Sequence, residues 1–541
     1  MIKPRAPLLP ALVGFVTFAL VLALTWPASR RDLSLDDIVH LRDYPRDNVG
    51  RGIWETLKLR HWQAVPEDGL WRPVPKLLWR AIGPIEDGQT RRAWLVTGAL
   101  AGLCAFLFAI CLQPIVRSRW LLVFCATPFL HLLSADVVLP FVGQADLLAA
   151  AGVLGAWVYW SRRGGVAAAM GAALLLLAMF SKESAYPAIA AIPVAIWFGP
   201  SSRPLRFRLA RRAVVLGLVV LGIRLAAQFL VFGTLESPVG AGGQRILPGE
   251  RSVSVIELTD RYAEALLFLG RAPQSDYSFL KQGSHERSFL GAYVLAMFII
   301  LGTIALKLPL KGPPPAKKNL AKWKGWRNAL GAAAWMILFL LPYLGMVPLG
   351  AVWAGRFAFL SLFGWIAFWI CSTHTYKMEP WYLIILSIWG AVWLPQRAFE
   401  WKDPIQLWSA EVARQPDHAF AWKNLGAHLD QSGRTEEALE CFRKATTYWP
   451  EFAEAWLARG QAASRLDQIP EAEDALRRAA EMLKSKQACV ELAKILARQK
   501  KFDEAQAALT VLLRSRGEDS EVRALLERIK SDQQQSNKLA P

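Results

Sequence analysis

At 541 residues, 54% of them hydrophobic and 24 of them Trp, with mean hydropathy +0.25, the chain is too apolar for an ordinary soluble protein of its size. Its net charge of +19 and only six Cys exclude an acidic chain and a disulfide framework. The basic excess has a simpler source than nucleic-acid binding, which emerges from where the charges lie.

Apolar runs recur along residues 11–394 at lengths that cross a hydrocarbon core of about 30 Å. Eleven spans are expected, at about 10–27, 93–112, 119–136, 145–160, 166–180, 185–199, 212–233, 288–306, 329–347, 357–373 and 379–394. Lys3 and Arg5 before the first run, and Ala28 after it, also resemble a signal peptide. An uncleaved first helix fits better, since no small-x-small cleavage site follows.

Lys and Arg in the short loops orient the chain. With the N-terminus inside, Arg117, Arg119, Arg162 and Arg163 are cytoplasmic. So are Arg203, Arg206, Arg208, Arg211 and Arg212, and then Lys307, Lys311, Lys317, Lys318, Lys322, Lys324 and Arg327, and neither of these last two loops holds an acid. The opposite loops, 28–92 and 234–287, mix both signs. The charge is therefore read as topological, basic loops facing anionic headgroups. An odd span count puts the C-terminal region outside the cytoplasm.

Ionisable residues at the outer ends of spans are the candidates for chemistry, because charge at membrane depth is costly. Asp36 and Asp37 follow the first span directly. Asp136 and Asp146 flank the outward turn between the third and fourth spans. Lys182 and Glu183 interrupt two apolar runs, and Arg356 precedes the tenth span. Each has a plainer reading as a loop-tip charge in water. His40 and His61 share the first outer loop and are weaker candidates. Cys104, Cys111, Cys125, Cys371, Cys441 and Cys489 are isolated and read as core packing, and no spacing demands a metal.

The composition changes near Pro404. A connector at 395–404 precedes repeats at 405–530 and a disordered tail at 531–541. Trp422, Leu425, Gly426, Gly433, Ala438, Phe442, Ala445 and Pro450 match the 34-residue tetratricopeptide pattern. Pro416/Pro450, Trp422/Trp456, Gly426/Gly460 and Ala438/Ala472 repeat it at 34 residues, and Ala505, Leu509 and Leu512 mark a degenerate third unit. The expected fold class is thus all-α: a polytopic domain over 1–394, then an α-solenoid whose groove takes a peptide or protein.

Several strings together resemble the transmembrane and tetratricopeptide repeat O-mannosyltransferases of the GT-C glycosyltransferase superfamily. They are Leu35-Asp36-Asp37-Ile38, Trp71-Arg72-Pro73-Val74, Gly143-Gln144-Ala145-Asp146, Lys182-Glu183, Asp276-Tyr277-Ser278 and Gly355-Arg356-Phe357-Ala358-Phe359-Leu360-Ser361. Gln144 stands where that family has Arg, Gly355 where it has Glu, and His40-Leu41-Arg42-Asp43 where it has an Asn-rich stretch.

The resemblance implies a GT-C-like membrane enzyme that moves a mannose-like sugar from a polyprenyl-phosphate donor to a protein hydroxyl. Asp36 or Asp37 would be the base, and Arg356, Lys182 and Arg72 would hold the donor phosphate. Glu183, Asp146, Asp136 and Asp276 would support them. No cofactor is required, although the carboxylates are compatible with a divalent metal. The expected setting is a bacterial inner membrane with the repeats in the periplasm, binding the acceptor, and no nucleic acid is expected as a partner. A non-catalytic scaffold for envelope assembly, and a glycan ligase or oligosaccharide transferase, remain the alternatives; a transporter lacks midplane charges and repeat symmetry.

Overall fold

The computed structural model describes residues 8–32, 52–58, 71–116, 120–232, 262, 266, 317–343, 355–377, 379–483, 486–516 and 519–539, and these are helical with no strand among them. Asp36, Asp37, His40, His61, Asp276 and the expected span 288–306 lie outside the described residues. The chain divides into two compact units, Met1–Asp403 and Pro404–Pro541.

In the first unit the helices are α1 (Leu8–Leu24), α2 (Ile53–Lys58), α3 (Pro73–Ile82), α4 (Arg91–Leu112), α5 (Ala135–Val138), α6 (Gln144–Trp160), α7 (Gly165–Ser181), α8 (Ala188–Phe198), α9 (Arg203–Phe232), α10 (Lys317–Leu340), α11 (Phe359–Tyr376) and α12 (Trp381–Glu400). Five stretches are long and apolar enough to cross a membrane: Arg91–Leu112, Phe141–Trp160, Arg203–Phe232, Arg356–Thr375 and Trp381–Glu400. Three shorter apolar helices join them, at Leu8–Leu24, Gly165–Ser181 and Glu183–Phe198. The expectation of eleven spans is therefore not met among the described residues.

The shortfall has local causes. Residues 120–129 wind as a 3-10 helix that contains Pro128, and further breaks follow at Leu132–Ser134 and Ala135–Val138. Proline removes a backbone donor and crowds the preceding turn, so an apolar run of spanning length need not be one α-helix. At 329–347, α10 begins in the basic stretch at Lys317 and gives way to a 3-10 turn at Leu341–Tyr343.

Close helix contact in this unit depends on small residues. A Cβ at Gly102 of α4 would lie 2.7 Å from the Gly14 carbonyl oxygen of α1, so only glycine lets these backbones meet. The outward faces stay apolar: Val215, Leu218 and Val219 on α9, and Ile385, Ile388 and Val392 on α12, are all exposed. Such faces suit a lipid solvent and would be a liability in water.

The second unit holds α13 (Pro404–Arg414), α14 (Ala419–Gln431), α15 (Thr435–Tyr448), α16 (Ala453–Arg465), α17 (Ile469–Leu483), α18 (Lys486–Arg498), α19 (Phe502–Arg516) and α20 (Ser520–Leu539). Consecutive helices pack as neighbours throughout. The 34-residue period reappears as bonding: Trp422 Nε1 donates to Pro416 O and Trp456 Nε1 to Pro450 O, both at 2.7 Å. The hairpin turns repeat too. Gly433, Asp467 and Lys500 each take positive φ, and the next residue donates back to Leu429, Ala463 and Leu496 respectively. This is the left-handed C-terminal cap that satisfies otherwise orphaned helix carbonyls. Ala505, Leu509 and Leu512 of the degenerate third unit are buried as expected.

Two boundaries differ from expectation. Residues 395–400, read as connector, continue α12 through Pro395, and residues 531–539, read as disordered tail, extend α20. Val522, Leu526 and Ile529 bury one face of that last helix, and the polar run simply carries it on.

Candidate functional site

Arg72 stands immediately before Pro73, which opens α3. A residue before proline is driven out of the helical region, and Arg72 has φ −124 and ψ 71. Its side chain is thereby directed away from α3 and meets Glu183. Arg72 Nε and Nη2 both donate to Glu183 Oε2, at 2.9 and 2.7 Å, and Nε reaches Oε1 at 3.3 Å. Burial opposes the Arg72 charge, and the Glu183 carboxylate more than offsets it, so the guanidinium is held above its ordinary range.

Lys182 and Glu183 lie where α7 stops. Lys182 is extended, with φ −162 and ψ 148, between α7 and a single 3-10 turn at Glu183–Ala185. That break turns the two neighbouring side chains to different partners. Lys182 Nζ donates to Asp146 Oδ2 at 2.6 Å, and both side chains are buried. Asp146 is in the first turn of α6, where a carboxylate complements the helix dipole. The approach to that turn is tight: a Cβ on Gly143 would come within 2.1 Å of the Val137 carbonyl oxygen.

Arg356, on the short turn Gly355–Ala358, acts electrostatically on both Arg72 and Lys182. Arg72, Asp146, Lys182, Glu183 and Arg356 therefore form one charged cluster assembled from four separate segments. Asp136 is on α5, and its buried carboxylate lies beside the turn that carries Arg356.

Arg31 lies nearby. Almost fully buried, it places its guanidinium over the rings of Phe141 and Trp401, at 4.3 and 4.9 Å. Its backbone N–H donates to Thr90 Oγ1. Phe141 opens the turn that leads into Asp146, so Arg31 lies at the same end of the first unit as the charge cluster.

Two residues that sequence reasoning passed over belong to this site. Arg224 of α9 is buried, donates to the carbonyls of Trp71 and Met179 and to Gln228, and stacks over Trp71 and Phe180. It secures both strands of chain that carry Arg72 and Lys182. A lone Arg inside the run 212–233 was the signal for it. Tyr343 is also buried, stacked on Phe357 at 4.7 Å and within the electrostatic reach of Asp146, Glu183 and Arg72. Nothing local in the sequence distinguishes it from other aromatic residues at span ends.

Gln144 has a structural task. Its amide donates to Ala93 O and Thr97 Oγ1 and accepts from Trp79 Nε1, tying α3, α4 and α6 together. Among the described residues no group of three or more His, Cys, Asp or Glu could hold a metal ion.

No family model matches this chain, and no curated protein matches it. Among solved structures, the crystal structure of MamA is 18% identical over 25% of this chain and 89% of its own, with a TM-score of 0.20. A likeness that slight bears on neither fold nor function.

Proposed function

We propose that this protein is an integral membrane glycosyltransferase of the GT-C kind, moving a mannose-like sugar from a polyprenyl-phosphate donor to a protein hydroxyl outside the cytoplasm. One observation carries the reading: Arg72, Lys182 and Arg356, distant in sequence, converge at one end of an apolar helical unit. A lipid phosphate suits such a gathering of cations, since guanidinium groups pair with phosphate oxygens through two parallel donors.

In the proposed reaction the acceptor hydroxyl attacks the anomeric carbon as Asp36 or Asp37 takes its proton. The bond from that carbon to the phosphate oxygen breaks, and polyprenyl phosphate leaves with the electron pair. The cations stabilise the charge that grows on the leaving group. The repeat unit binds the polypeptide acceptor, and the membrane is a bacterial inner membrane with the repeats in the periplasm.

The pairing of Arg72 with Glu183 and Lys182 with Asp146 also favours a second reading, in which the cluster is structural and the protein is a scaffold. Asp36→Asn and Asp37→Asn separate the two. At least one should lower transfer by about 10²-fold, the usual scale of general base catalysis, with folding unchanged. Glycosylation of the acceptor at wild-type level in both variants would leave the scaffold. Crosslinking of a polyprenyl-phosphate sugar to the wild-type chain, and its loss in Arg356→Gln, tests the phosphate site directly.

A further inference from the structure

One buried residue touches both segments that deliver Arg72 and Lys182. Arg224, near the end of α9, is 1% exposed and meets each segment twice. From Nη2 it donates to Trp71 O at 3.1 Å, and its guanidinium lies 4.9 Å from the Trp71 ring. From Nε it donates to Met179 O at 3.3 Å, and it lies 5.2 Å from the ring of the next residue, Phe180. Trp71 and Phe180 also meet each other edge to face, at 5.2 Å.

Both carbonyls sit where the chain leaves its regular course. Lys182 is extended, so the Glu183 N–H that would serve Met179 O in an unbroken helix is carried away, and Arg224 Nε takes its place. The same break sends Lys182 to Asp146 and Glu183 to Arg72. Trp71 O belongs to the planar peptide that joins Trp71 to Arg72, so fixing it fixes the base from which the Arg72 side chain sets out toward Glu183. The acceptors of Arg224 are all neutral, two carbonyls and the Gln228 amide oxygen at 2.8 Å, and no carboxylate pairs with it among the described residues. A buried cation held only by neutral groups is costly to keep, and in an apolar span it marks a functional position.

We propose, on the reading of the charged cluster as a donor-phosphate site, that Arg224 is its positioning residue. It holds the Trp71–Arg72 and Met179–Lys182 segments at a fixed separation, so that Arg72 and Lys182 serve one phosphate. The fork is what qualifies it. The three nitrogens of one planar guanidinium reach Met179 O, Gln228 and Trp71 O while the group lies over two rings. A lysine keeps the charge, but a single ammonium on a flexible stem does not reproduce that fork.

Two measurements on full-length protein in detergent test this. Hydrogen–deuterium exchange without ligand follows residues 71–82 and 176–186. Capture of a photoreactive polyprenyl-phosphate mannose at rising concentration gives a half-saturation point and a plateau. In Arg224→Lys, which keeps a cation in place, both segments should exchange faster. Half-saturation should rise about 10- to 100-fold, the scale of one hydrogen bond to a charged group, while the plateau holds. Arg224→Met should behave the same way, because both variants lose the fork. Wild-type half-saturation in Arg224→Lys would show that charge alone suffices and overturn the proposal. So would a lower plateau at unchanged half-saturation, the mark of a residue that only stabilises the fold, or faster exchange in one segment alone or in neither. A wild type that captures no donor sinks the donor-phosphate reading instead, and the exchange measurement then decides by itself whether Arg224 holds both segments.

Discussion

The two units use the same charged residues in opposite ways. After Pro404, Lys and Arg balance Asp and Glu one for one, so the whole +19 of the chain belongs to the first unit. The repeat unit carries several ion pairs on its surface, Arg434–Glu437 and Arg478–Asp474 being about half exposed on both sides, while Glu411 beside Arg414 is buried. In the first unit Lys182–Asp146 is 8% and 3% exposed. Surface pairs contribute about 0–1 kcal/mol each, whereas breaking a buried pair strands a charge and costs about 3–5 kcal/mol. The lesson is that an ion pair's weight is set by its surroundings, and Lys182–Asp146 and Arg434–Glu437 have opposite ones.

The largest effect should therefore come from Lys182→Ala, which leaves Asp146 buried and unpaired and should destabilise the first unit by about 3–5 kcal/mol. Arg434→Ala should change the repeat unit by less than about 1 kcal/mol. Thermal unfolding of the full-length protein in detergent, with a fluorophore in each unit, compares them. Similar small losses in both would erase the contrast. The double variant Lys182→Met/Asp146→Leu sharpens it: stability should return, because well-packed apolar residues often replace a buried pair without loss, while transfer stays lost.

Next in size is the repeat core. Phe442 is 2% exposed, and Phe442→Ala should cost the second unit about 3–5 kcal/mol while donor crosslinking in the first is untouched. Lost crosslinking would show that the units do not divide their labour as proposed.

A smaller effect is expected from acid. Hydrogen bonds from Arg443, opposed by partial burial and joined by Arg459, hold the Glu471 carboxyl down at about 2, against an unfolded value of about 4.3. The folded state thus prefers the ionised form. Its stabilisation is complete above the unfolded value and drains away as pH falls from about 5 towards 2. Glu471→Gln should flatten that part of the stability profile of the repeat unit, and an unchanged acid limb would sink the assignment.

The smallest is a gain. Lys500 occupies the left-handed turn position that Gly433 fills two repeats earlier in the chain, and Lys500→Gly should stabilise by about 1 kcal/mol. A loss there would mean the Lys500 side chain contributes something the turn geometry does not explain.

How much of this was legible beforehand varies by residue. Lys182 and Glu183 were conspicuous because they interrupt apolar runs, and Arg356 and Arg72 because of what surrounds them in sequence. That Lys182 would choose Asp146, 36 residues away, and Arg72 would choose Glu183, 111 residues away, was not readable, because such pairs are set by helix packing. Arg224 carried the same signal as Lys182 and was missed. Pro128 marks the run 119–136 as one that does not form a single α-helix.

The sequence by itself determined what is local: an apolar, basic, helical first unit, the 34-residue period after Pro404, and which charges sit at the ends of apolar runs. Periodicity and hydropathy are properties of neighbouring residues, so they survive any arrangement of the helices. Only the tertiary structure decided which charges share a site, which apolar run breaks, and that Arg224 grips the carbonyls of both Trp71 and Met179. Those outcomes depend on contacts between segments far apart in the chain, where each helix's position is fixed by all the others packed against it.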